Sequence, residues 1–229
     1  MAVVYLAIAY LLLPLLWRHH EMRHPAIADA PKITHTASGI PGDPLNVALV
    51  GTEEDIHRAM HAAKWYPADP ITLRSAIRIA VGVVFKRSYD DAPVSSLYLW
   101  GRKEDLAFEQ PVGNDPRRRH HVRFWRSEKV DEESRPLWMG AATLDIRVGL
   151  SHTTGEITHH IGSAVDLDRN KVIDDIRGAG YLAKMDWIDD FHKVSEGKNG
   201  GGDPWHTDGR LAVGVLAVRL TSSTTTETP

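Results

Sequence analysis

Residues 2–17 form a run without a charged side chain or a polar face; only Pro14 interrupts it, and Trp17 closes it. As a helix this run would reach roughly 24 Å, somewhat short of the roughly 30 Å hydrocarbon core of a bilayer. No basic residue precedes it, as a secretory leader would require. The charged stretch 18–24 also separates it from the small-x-small triplet Ala28-Asp-Ala30. The pattern predicts an uncleaved single-pass transmembrane helix with its basic flank over residues 1–24, rather than a buried core helix. Arg18 and Arg23 follow the span, so the positive-inside rule puts the remainder of the chain in the cytoplasm.

Pro25, Pro31, Pro41 and Pro44 mark residues 25–44 as a connector. A folded domain is expected over 45–220 and a disordered Ser/Thr-rich tail over 221–229. A strand over 46–50 leads to Gly51. Thr52-Glu-Glu-Asp55 then has the form of a capping box, with Ile56, Ala59, Met60 and Ala63 at helical spacing behind it. A second helix is expected from Asp69-Pro70, with Leu73, Ile77, Val81 and Val84 as its apolar stripe. Beyond Ser96 the period changes to two. It predicts strands over 97–100, 106–108, 120–126, 137–148 and 156–161, with Asn114-Asp-Pro116 among the turns. Ser163 is placed to cap a helix from about Val165 to Arg177, ended by Gly178 and Gly180. Strands over 181–188 and 211–220 follow, the latter equally readable as a helix, and the glycine-rich stretch 197–204 between them reads as a flexible loop. This order predicts an α+β domain: a largely antiparallel sheet with packed helices, preceded by one N-terminal transmembrane helix.

Composition narrows the chemistry. With 229 residues, 42% hydrophobic and 25% charged, the chain is ordinary and globular, and a net charge of −3 argues against a nucleic-acid partner. The absence of cysteine excludes disulfides, thiolate catalysis and cysteine-ligated zinc. Thirteen histidines are many for this length.

The densest chemistry lies in Pro116-Arg-Arg-Arg-His-His-Val-Arg-Phe-Trp-Arg126. In a strand starting at Arg119, the residues Arg119, His121, Arg123 and Trp125 share one face, opposite His120, Val122 and Phe124. Arg117, Arg119 and Arg123 are candidate ligands for an anion such as a phosphate or carboxylate. On neighbouring strands, Asp145 and His160 would join His121 as candidate acid–base groups. Charge pairing across an exposed sheet face accounts for the same residues without any reaction. His152, Asp203 and His206 are secondary candidates for ligand contact. His152-Thr-Thr154 matches half of a two-histidine phosphoesterase pattern, but His206-Thr-Asp208 does not complete it. No histidine pair with established metal spacing joins these groups; His57 and His61 stand four apart on the first helix, where solvated surface histidines are the commoner case. No metal or other cofactor is therefore expected. Gly200-Gly-Gly202 is not followed by the Lys-Ser/Thr of a nucleotide-binding loop.

Six segments carry a resemblance: Gly42-Asp-Pro-Leu-Asn-Val47, Tyr66-Pro-Ala-Asp-Pro-Ile-Thr-Leu-Arg-Ser75, Ala92-Pro-Val-Ser-Ser-Leu-Tyr-Leu-Trp-Gly-Arg102, Asp105-Leu-Ala-Phe-Glu109, Pro116-Arg-Arg-Arg-His-His121 and Thr158-His-His160. Together they make residues 42–180 similar to the LssY-like C-terminal domain. That bacterial domain occurs behind a membrane segment or fused to membrane modules of the phosphatidic-acid phosphatase type. The resemblance thus implies a bacterial inner-membrane setting. The lipid phosphatase's own motifs, including Pro-Ser-Gly-His, do not occur here, so its activity is not implied. Two classes of function fit the residues. One is a membrane-anchored enzyme binding or hydrolysing an anionic, phosphorylated small molecule or lipid headgroup. The other is a non-catalytic binding or assembly domain of an envelope or export system, whose protein partners the sequence does not identify.

Overall fold

The computed structural model describes residues 29–68, 96–113, 118–131, 133–152 and 157–218, together with Tyr5, Ile8, Tyr10 and Ile27. The expected anchor over 2–17 (apart from those three positions), the helix from Asp69, the turn at Asn114-Asp-Pro116, Arg117 and the tail over 221–229 lie outside these residues. Among the described residues no helix is long and apolar enough to cross a membrane.

In chain order the elements are β1 (Ile33–His35), β2 (Pro41–Pro44), β3 (Val47–Val50), α1 (Glu53–Ala62), β4 (Tyr66–Pro67), β5 (Tyr98–Leu99), β6 (Arg102–Lys103), β7 (Leu106–Pro111) and β8 (Arg119–Val130). There follow β9 (Pro136–Leu150), β10 (Ile157–Ile161), α2 (Val165–Gly178), β11 (Leu182–Ile188), β12 (Glu196–Lys198), β13 (Pro204–His206) and β14 (Leu211–Leu216). The large sheet runs β11-β14-β3-β9-β8-β7-β4, with β10 also paired to β9. All these pairings are antiparallel except β14 with β3. The fold is α+β, with two helices and a large, mostly antiparallel sheet among the described residues.

Both faces of this sheet are covered, and the residue pattern shows how. Val47, Leu49, Val122, Phe124 and Trp138 pack with Ile56 and Met60 of α1 and with Val172, Ile173 and Ile176 of α2. On the opposite face Ala48, Val50, Trp125, Met139 and Val213 pack with Leu97, Leu99, Phe191 and Ile27. Strands β3 and β14 are apolar on both sides because both sides are buried. Helix α1 begins as its sequence dictates: the Asp55 amide donates to Thr52 Oγ1 at 3.1 Å and the Thr52 amide to Asp55 Oδ2 at 3.0 Å, a reciprocal capping box.

Three expectations need correction. Residues 33–44, read as connector, form β1 and β2 of a second sheet ordered β2-β1-β5-β6, and Ile27 and Ala30 enter the core. Pro41 and Pro44 are tolerated because β2 is the edge strand of that sheet, where a missing N–H breaks no central ladder. Ser163 does not cap α2, whose N-cap is Ala164 without a side-chain bond. The stretch 197–204 is not a flexible linker but the hairpin β12–β13. Its turn is tied by Asn199, whose Oδ1 accepts from the Gly201 and Asp203 amides at 3.0 and 2.9 Å.

Candidate functional site

Strand β8 alternates as the sequence predicts, but both faces are buried. Val122 and Phe124 enter the helix-side core, while Arg119, His121, Arg123 and Trp125 point to the other layer at no more than 7% exposure. The cover comes from β1, β2 and β5 and from segments near Phe191 and Asn199, distant in sequence. The β8–β9 register sets Arg119 opposite Asp145, His121 opposite Thr143 and Arg123 opposite Ala141.

Each guanidinium finds a carboxylate. Arg123 Nη1 donates to Asp43 Oδ2 at 3.2 Å. Arg119 reaches Glu109 Oε2 through Nη1 at 2.9 Å, and approaches Asp145 Oδ2 through Nε at 3.5 Å. Its Nη2 lies 2.9 Å from His159 Nε2, which must accept because a guanidinium only donates. Asn199 Nδ2 donates to the other oxygen of Asp43 at 3.2 Å.

Both His121 ring nitrogens and Thr143 Oγ1 lack a hydrogen-bond partner among the described residues, as do Trp125 Nε1 farther along the same face and Nδ1 of His159. Leaving such groups buried costs about 1–3 kcal/mol each.

Burial dominates the protonation of this cluster. It pushes the Asp145 carboxyl up to about 7 against the pull of Arg123 and Arg119, since the Arg119 contact is long and the group is almost fully enclosed. Asp43 is also raised, by burial first, with Arg123 opposing. Burial and then the neighbouring guanidiniums hold His121 well below its usual range and bring His159 down to about 3. Both imidazoles are neutral near pH 7, each with one donor and one acceptor nitrogen.

A second cluster lies at the β9–β10 end. His160 Nδ1 is 2.7 Å from Asp203 Oδ1, and Asp203 Oδ2 accepts from the Ile161 amide at 3.3 Å. The ring of exposed His152 stands 5.2 Å from that of His160. Asn199 links the two clusters, contacting Asp43 and holding the Asp203 backbone.

Of the residues singled out in the sequence, the structure gathers Arg119, His121, Arg123 and Asp145 in the first cluster and His152, His160 and Asp203 in the second. His206 is exposed on β13, where alternation turns Trp205 inward instead. Sequence reasoning missed Asp43, Thr143, His159 and Asn199. Asp43 lay in the supposed connector, although Gly42-Asp-Pro44 belongs to the segments of resemblance. His159 and His160 are both buried; beside them the register shifts, His160 pairing with Arg147 but Ile161 with Asp145, so that Ile146 of β9 is skipped, and no residue pattern announces this extra residue. Elsewhere, His57 and His61 line a groove of about 420 Å³ with Glu54, Trp65, Phe108 and Tyr181, on the α1 side of the sheet.

No curated protein and no solved structure matches the chain. A family model described as LssY C-terminus matches residues 27–211, which begin at Ile27, the first buried residue among those described, and include every member of both clusters. The chain belongs to the LssY C-terminus family.

Proposed function

We propose that this domain binds a phosphorylated or otherwise anionic ligand on the face formed by Arg119, His121 and Arg123, as the first step of a hydrolytic reaction. The observation that carries the reading is the His121–Thr143 pair: two buried polar side chains, opposite each other, flanked by guanidiniums and lacking partners among the described residues. An anion oxygen satisfies an imidazole N–H and a hydroxyl together, and charged hydrogen bonds are the strong ones. Asp145, with its carboxyl near half-protonation at neutral pH, is the group suited to give or take a proton beside the bound ligand. An arriving anion is accommodated by protonation of Asp145 or Asp43, which frees part of the positive charge the carboxylates now offset.

A second reading, a non-catalytic binding or assembly domain, is favoured by a different observation. Each guanidinium already contacts a carboxylate, as in a network that serves only to specify the packing. Under either reading the uncharged run 2–17 tethers the domain to a bilayer, with the domain on the cytoplasmic side of a bacterial inner membrane.

Calorimetric titration of the full-length chain with inorganic phosphate and with glycerol 3-phosphate separates the readings. Saturable binding of either supports the anion site; binding of neither leaves the network structural.

A further inference from the structure

We propose that His152, His160 and Asp203 hold one divalent first-row transition-metal ion. The inference is independent of the anion reading, since none of the three belongs to the Arg119–His121–Arg123 face. Each residue offers one ligand atom, and these atoms lie within 4.8 Å of one another. Two imidazoles and one carboxylate, without thiolate, are a donor set for zinc, iron(II) or their neighbours in the row.

The surroundings decide which atoms ligate. On the Nε2 side of His160 stands the Gly149 backbone: a Cβ there would come within 2.8 Å of Nε2, and the Arg147 guanidinium is 3.7 Å from the same point. A cation has neither space nor a favourable potential on that side. The Nδ1 side instead meets Asp203 Oδ1 at 2.7 Å, a hydrogen-bond distance. Tetrahedral ligation at about 2.0–2.1 Å sets neighbouring donor atoms about 3.3 Å apart. An ion therefore takes the place of the proton between Nδ1 and Oδ1 after a shift of about half an ångström, and His152 closes in by rotating its exposed ring.

The backbone is built to keep these groups together. The His152 amide donates to Gly201 O at 2.9 Å, tying the end of β9 to the glycine turn. Gly202 has φ +85°, and a Cβ there would lie 2.9 Å from His152 Cβ. Asn199 fixes the Asp203 backbone, and the Ile161 amide holds the carboxylate oxygen not directed at His160. Gly202, in a stretch read in the sequence as slack, thus allows the turn to approach His152. Remaining coordination positions fall on the exposed His152 side, where solvent or a substrate oxygen can enter.

The test uses the untagged full-length chain, stripped with chelator and titrated with ZnCl₂ against a competing chromogenic chelator. A parallel titration with CoCl₂ is read by visible absorption. One equivalent of each metal is expected to bind. His152→Ala is expected to weaken zinc by at least about tenfold, the cost typical of losing even an outer-shell partner. Because His152 is exposed, that variant should keep the circular-dichroism spectrum of the wild type. The double variant His57→Ala/His61→Ala removes the histidine pair four residues apart on α1 and should bind zinc as the wild type does. Absence of stoichiometric binding, or a loss that follows His57 and His61 instead of His152, overturns the proposal.

Discussion

His121 and Thr143 face each other across the β8–β9 ladder, both buried, and neither side chain has a hydrogen-bond partner among the described residues. Around them, among the described residues, Arg119 pairs with Glu109 and Asp145, and Arg123 with Asp43. A network that satisfies its charges but leaves an imidazole and a hydroxyl unsatisfied at its centre has the polarity of a binding site and the burial of a core. The following expectations separate those two roles.

Asp145 should make stability fall as pH rises. Its folded value of about 7 stands above the ordinary 3.8, so the folded state holds the proton longer than the unfolded state does. The contribution is complete below the unfolded value and is lost as pH climbs through the folded one. Arg119 and Arg123 from β8 and Asp43 from β2 are the charges that bear on it. Asp145→Asn resembles the protonated acid and lacks this loss. Its Tm relative to wild type should therefore rise between about pH 4 and pH 8. A difference that stays flat with pH would mean that Asp145 remains ionised in the fold.

Arg123→Ala should cost about 3–5 kcal/mol in urea unfolding, because it strands the buried Asp43 carboxylate. That loss makes the substitution a poor probe of anion binding on its own. Adding Asp43→Asn should recover much of it, since asparagine carries no charge and can still bond to Asn199. A single-variant cost below about 1 kcal/mol would place this ion pair in solvent-like surroundings.

Removing residues 1–24 should leave a folded domain, whereas removing 1–44 should not. The first cut stops short of Ile27, the earliest buried residue among those described; the second deletes β1, β2 and Asp43, and with them part of the layer over the Arg/His face. Circular dichroism and thermal melts of the two truncations check this. A cooperative melt from the shorter chain would show that the second sheet is dispensable.

Much of the domain was legible locally. The Thr52–Asp55 capping box, the two faces of β8 and the helix ending near Gly178 follow from side-chain chemistry within a few residues. The environment of the charged face was not legible, because its cover comes from residues 27–44, 97–99 and 191–203 across long chain separations. A strand face rich in Arg and His reads as solvent-facing by default; here carboxylates brought from other elements allow it to be buried. His159 was missed because the extra β9 residue at the register shift changes which β10 side chains lie beside Asp145. The glycine turn was misread because glycine marks close approach as readily as slack, and only packing distinguishes them.

The most direct test of the anion site is Thr143→Val, followed by unfolding and by phosphate titration of the same preparation. Valine keeps the shape and removes a buried hydroxyl that has no partner among the described residues. If that hydroxyl exists to meet a ligand, the variant should unfold at equal or higher denaturant, by up to about 1–3 kcal/mol, and bind phosphate about tenfold more weakly. A variant that binds phosphate as tightly as wild type, or a wild type that binds no anion, would contradict the anion site and leave the Arg/His/Asp face a structural network.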